Sequence, residues 1–152
     1  MAKGSGWLQH EQNQTAENKS TADCRLSEER QRKLAAAQKT LLLDEEAAYE
    51  IAYEAMVKAS LAFILAHGQR VRTQIGHHKA IIEFCELQIG TQHSPLLHAL
   101  DRMRRKRNQV FYDVGLITQL EAKNAVDAAQ QYLKLIEQEI KRRLPPPPVN
   151  RP

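Results

Sequence analysis

A chain of 152 residues has room for one domain with a modest core and not for two. Apolar residues supply 42% of it and aromatics only 5%, with Ala, Leu, Ile and Gln prominent and β-branched runs scarce, so an all-α protein is expected and strands are not. The net charge of +4 is too small to imply a polyanionic partner; two cysteines without metal spacing give no disulfide framework, and no apolar run reaches signal-peptide or membrane-span length, so a soluble, cytoplasmic protein is expected.

Residues 1–26 mix Gly, Gln, Asn, Lys and Glu around an isolated Trp7 and Leu8, and read as a flexible tail carrying Cys24. Ser27 with Glu28 and Glu29 opens a first helix to about Lys39, which is free to run on into the second. That second helix, roughly Leu43 to Ala66, carries a stripe of six alanines (48, 52, 55, 59, 62 and 66), spaced by four and three, with Tyr49, Met56 and Phe63 beside it. Methyl-sized residues on one seam admit a closely approaching helix, so the stripe reads as core or as a dimer seam. Gly68 supplies a left-handed cap.

Gly76 opens a third helix bearing Ile81, Ile82, Phe84, Cys85 and Ile89, and Gly90 closes it. Ser94 as N-cap and Pro95 at the first helical position start a fourth. Thr118 with Glu121 forms a capping box for a long last helix, whose apolar face is Ala122, Ala125, Val126, Ala129, Tyr132, Leu133, Ile136 and Ile140. Lys141, Arg142 and Arg143 sit at its negative end, and a proline run from Pro145 stops it and forms a stiff tail. The sum is an all-α, up-and-down bundle of four to five helices.

Charge is unevenly spread along this chain. Leu41 to Glu54 holds five acids and no Lys or Arg, whereas His67 to Tyr112 holds eight basic residues against three acids. The densest basic run lies on the fourth helix, where Leu96, Leu100, Met103, Val110 and Phe111 form an apolar face with Arg107 in its middle. Arg102, Arg105 and Lys106 point elsewhere and read as solvated. A guanidinium in an apolar stripe needs a carboxylate, a carbonyl or a phosphate, so Arg107 is either a structural ion pair with an acid of the second helix or a ligand-binding cation. Asp101, Arg105, Asn108 and Tyr112 share the neighbouring polar face. Arg107 and Tyr112, five apart, lie about 140° around a regular helix, so a site using both is easier to build across a two-fold axis.

The stretches "HGQRVRTQIGHHKAIIEF" from His67 and "DRMRRKRNQVFYD" from Asp101, followed by a long helix, resemble the higher eukaryotes and prokaryotes nucleotide-binding (HEPN) family over roughly Ser27 to Leu144. Its signature is an Arg, a polar residue, variable positions and a His. Arg107 and Asn108 match it, and Tyr112 stands in place of the His. The resemblance implies a dimeric helical bundle with the motif at the interface, acting on RNA or nucleotide, in many members as a metal-independent endoribonuclease of toxin or defence type. For this chain it implies an RNA- or nucleotide-binding protein, a degenerate nuclease at most, with Arg107, Asn108 and Tyr112 as catalytic candidates and Arg104, Arg105, His77 and His78 contacting nucleic acid. The alternatives are a non-catalytic helical interaction module, or a toxin-like partner of a nucleotidyltransferase antitoxin with Tyr112 as a modification target.

Attack of a ribose 2′-OH on phosphate wants an acid and base near pH 7 and a cation on the developing charge. Arg107 suits the cation. A tyrosine with its ordinary pKa of about 10 is a poor base, so His77 and His78 are the imidazoles to consider, ahead of His67 and His98. No acidic cluster accompanies them, and neither a metal nor a cofactor is expected.

Overall fold

Two exposed leucines, Leu42 and Leu43, mark where the first and second helices part. The structure, a computed structural model, describes residues 28–29, 32–69, 71, 76–110 and 116–143. Both expected tails, the limits Ser27 and Leu144, and Phe111 and Tyr112 lie outside the described residues. Within these limits the chain is an all-α bundle without strands: α1 (residues 32–41), α2 (Glu45–Ala66), α3 (His77–Ile89), α4 (Ser94–Val110) and α5 (Gln119–Arg143), with a short 3₁₀ turn at Thr91–His93.

The α1–α2 break has a local cause. Asp44 adopts an extended backbone, and its carboxylate accepts from the Ala47 N–H at 3.0 Å, while Glu45 and Glu46 lie at the positive end of the dipole. The two helices are therefore separate. At the other end of α2, Gly68 takes φ 75° and its N–H bonds the Leu65 carbonyl, while Gln69 N–H reaches back to Ile64. This is a Schellman termination, in which glycine carries the left-handed turn. Ser94 departs from its expected cap role: its backbone is already helical (φ −49°, ψ −39°), because the 3₁₀ turn leads straight into α4. Thr118 and Glu121 form the reciprocal capping box, each accepting the other's N–H at 3.1 Å.

Packing centres on α2 and α5, the most extensively contacting pair. All six alanines of the stripe are buried, as is the entire expected face of α5. Full burial of Leu133, Ile136 and Ile140 contributes about 1.5–3 kcal/mol each. In α4 Leu100 and Met103 are buried as expected, and the apolar face leans toward Leu97, which is buried where Leu96 is only partly covered. A polar knot ties three helices inside this core. Ser60 Oγ donates to the Met56 carbonyl at 2.9 Å and so accepts from the Tyr132 hydroxyl at 2.6 Å, with the buried Cys85 thiol of α3 close enough for both to act on it.

Cross-helix contacts set the directions. Glu29 with Lys58 and Lys33 with Glu54 make α1 antiparallel to α2. Tyr53 meets His78 whereas Phe63 meets Phe84, so α3 runs parallel to α2. The chain then turns at the 3₁₀ segment, and α4 returns until Arg107 reaches Glu50. Tyr49 near Glu121 and Ser60 opposite Tyr132 together place α5 parallel to α2 again. Direction thus alternates along the chain except between α2 and α3.

Candidate functional site

The C-terminal half of α4 lies against the first half of α2, and its side chains divide between two flanks. On one flank Arg107 Nε stands 2.6 Å from Glu50 Oε1, with 38% of the guanidinium side chain and 39% of the carboxylate side chain still exposed. Arg107 is therefore at the margin of the core and not inside it, and the acid of the second helix that its position called for is Glu50. Its guanidinium carbon also lies 5.2 Å from the centroid of the Tyr53 ring, within cation–π range.

Tyr53 is buried, and its hydroxyl is 2.6 Å from His78 Nδ1 at the start of α3. The two rings are tilted at 49°, and His77 stands edge-on to His78 with centroids 4.3 Å apart. Burial pushes the Tyr53 phenol up to about 12 against the opposing pull of Arg107 and Arg104, so it stays protonated at neutral pH. Burial, then His77, Arg107 and Arg104, hold the His78 imidazole below its ordinary range and hence neutral. The outcome is a row of groups, Glu50, Arg107, Tyr53 and His78, drawn from three helices and half-open to solvent.

The other expected residues divide. Arg104 and Arg105 both pair with Asp101, at 3.0 Å and 3.3 Å, and Arg104 is close enough to Tyr53 and His78 to act on both. Asn108 is exposed on the helix surface. Tyr112 lies outside the described residues, so its relation to Arg107 does not enter the geometry. His67 bonds the Phe63 carbonyl at 2.8 Å and stands edge-on to Phe63 and Phe84, as part of the helix end; His98 is exposed. Lys106, expected to be solvated, reaches Glu121 of α5 at 3.0 Å.

These pairs correct the electrostatic expectation. Arg104, Arg105, Lys106 and Arg107 crowd one helix, but Asp101 of the same helix, Glu121 of α5 and Glu50 of α2 pair with them, and the acidic stretch meets the basic one at Glu50 and Arg107. Periodicity on α4 alone does not reveal carboxylates arriving from α2 and α5. Tyr53 was missed for a related reason: no local pattern on α2 singles it out, and only the parallel α3 brings His78 to its hydroxyl.

The second flank of α4 forms a groove of about 370 Å³ shared with α2 and α5, where Tyr49, Arg102, Met103, Lys106, Glu121 and Ala125 are among the walls. Burial and Glu121 push the Tyr49 phenol up to about 12, against Arg102. Among the described residues no group of three His, Cys, Asp or Glu side chains is placed to hold a metal ion, and no helix is long and apolar enough to cross a membrane. Comparison of the chain with protein-family models, curated proteins and solved structures gives no match.

Proposed function

We propose that this is an HEPN-like RNA- or nucleotide-binding protein whose phosphate site is built on Arg107, with Arg104 adding positive field and His78 standing in for the imidazole absent from the motif. The observation that carries the reading is the half-exposed Arg107 guanidinium, gathered with a neutral imidazole through Tyr53. A carboxylate already on the guanidinium makes the site a displaceable one: Glu50 offers the geometry a phosphate oxygen would use. As an enzyme the protein is a weak, metal-independent endoribonuclease in which Arg107 bears the phosphorane charge. Homodimerisation belongs to the same reading and rests on the resemblance.

The Glu50 pair favours a second reading, a helical scaffold in which Arg107 only ties α4 to α2. One experiment separates the two. The full chain, its Arg107→Ala variant and its Glu50→Gln variant are incubated with a labelled structured RNA in EDTA over a salt series, with binding and cleavage followed together. The RNA reading expects salt-sensitive binding, lost in Arg107→Ala and strengthened in Glu50→Gln. Equal and negligible binding by all three leaves the scaffold.

A further inference from the structure

Tyr53 is buried against groups that dictate which way its hydroxyl points. The Arg107 guanidinium, which has donors only, lies over the Tyr53 ring at 5.2 Å from its centroid, and its positive field favours the phenol oxygen facing the cation with the phenol proton directed away. The atom on the other side, at 2.6 Å, is His78 Nδ1. A hydroxyl donating there requires a bare Nδ1, and a neutral ring then carries its proton on Nε2. His78 thus has a defined tautomer, imposed from α2 and α4 jointly.

The same row has a second state. When Arg107 loses its hold on Tyr53 to an incoming anion, the phenol is free to rotate, and a proton taken from solvent by Nδ1 is donated to the phenol oxygen. Tyr53 then changes from donor to acceptor without a change in its own protonation. We infer that Tyr53 is a positioning residue that fixes His78 with its proton on Nε2, and that binding of a phosphate anion at Arg107 is accompanied by uptake of one proton at His78 Nδ1. This inference rests on the phosphate site proposed above and adds its proton linkage.

The groups acting on His78 agree in sign. From α4, Arg107 and Arg104 oppose its protonation, as does His77 on its own helix; from α2, Glu50 is the one carboxylate of the row. An anion on Arg107 offsets the two cations, so of the influences that hold the imidazole neutral only burial and His77 remain, and the His78 midpoint rises. The phosphate complex therefore tightens as pH falls through the interval between the bound and free midpoints of His78, by up to about tenfold per pH unit for one proton. Above and below that interval His78 adds no further pH dependence to the affinity.

The test uses the full chain with ¹⁵N-labelled histidine, assigned with a His78→Asn variant, and methyl phosphate as the probe. Long-range ¹H–¹⁵N spectra at neutral pH are expected to show His78 with Nε2 protonated and Nδ1 bare, and methyl phosphate is expected to move its titration midpoint upward. In Tyr53→Phe the free midpoint moves up toward the ordinary histidine range and the tautomers mix; in Arg107→Ala methyl phosphate no longer moves it, whereas Arg107→Lys retains a smaller shift. A His78 proton on Nδ1 in the free wild-type protein, or a midpoint indifferent to methyl phosphate, overturns the inference, and both readings need only the unaltered chain. A methyl phosphate response without RNA binding keeps the inference and removes the RNA reading. RNA binding with an unmoved His78 does the reverse.

Discussion

Arg107 and Glu50 meet at 2.6 Å although they come from the most basic and the most acidic stretch of the chain. Both side chains remain more than a third exposed, so water screens the pair, and it contributes about 0–1 kcal/mol to stability. Arg107→Ala and Glu50→Gln are therefore expected to lower the unfolding free energy by no more than about 1 kcal/mol each in urea titrations. Their effects on RNA affinity, by contrast, are expected to be large and of opposite sign, as read by fluorescence anisotropy at fixed salt. Equal weakening by both variants would sink the phosphate-site reading.

Ala59 lies on the buried stripe of α2, the helix that packs most extensively on α5. Ala59→Leu adds three heavy atoms where two backbones approach closely, and overpacking of this kind costs about 1–3 kcal/mol. Ala59→Ser, which preserves the size, is expected to lose less. Chemical denaturation of both variants checks the order, and a Leu variant as stable as the parent would mean that the seam is loose.

Ser60 and Tyr132 form a shared unit, so their substitutions are not independent. Tyr132→Phe removes a buried donor yet leaves Ser60 bonded to Met56, with an expected cost of about 1 kcal/mol; Ser60→Ala strands a buried phenol and costs about 1–3 kcal/mol. The double variant is expected to lose less than the sum of the two. Additive losses would show that the hydroxyls do not share a bond.

Alkaline pH is expected to unfold the protein through its buried acids. Burial raises Cys85 from 9.0 to about 11, and Tyr49 and Tyr53 from 10.0 to about 12. In each case the unfolded chain releases its proton first, so the stabilisation is complete below the unfolded value and is lost as pH rises through the folded one. Stability is thus expected to decline from pH 9.0 upward, and in Cys85→Ala only from 10.0 upward. Thermal unfolding curves across this range measure the onset.

Glu121 works in the other direction. The Thr118 N–H, and then Lys106, hold its carboxyl below the ordinary glutamate range. A depressed acid stabilises above its unfolded pKa, and that contribution is lost as pH falls through the folded one. Glu121→Gln is expected to flatten this acid limb. Thr118→Ala removes the other half of the capping box and is expected to cost about 1 kcal/mol at neutral pH, measured by urea titration.

Much of the bundle is legible in the residues taken alone. The α5 face, the alanine stripe, the Gly68 termination and the Thr118 capping box depend on periodicity and local backbone chemistry, which act within a turn or two of helix. The candidate site is less legible because its pairs join different helices. A wheel places Arg107 on the inner side of α4 but does not say that Glu50 of α2 faces it, and nothing in a local pattern announces that α3 runs parallel to α2. That direction alone brings His78 beside Tyr53. The burial of Leu97 on α4 was likewise not legible, because it depends on which neighbouring helices cover that side.

The seam between α2 and α5 joins residues as far apart as Ser60 and Tyr132, 72 positions along the chain. Each doubling of a closed loop adds only about 0.6 kcal/mol of entropy, so the separation takes little from the finished bundle. Its consequence is temporal. On a ribosome adding about 5–20 residues per second, Ser60 leaves the synthetic centre roughly 4 to 14 s before Tyr132 is made. During that interval α2 lacks the helix it packs against most extensively, and its apolar residues have only the helices made before α5 to cover them.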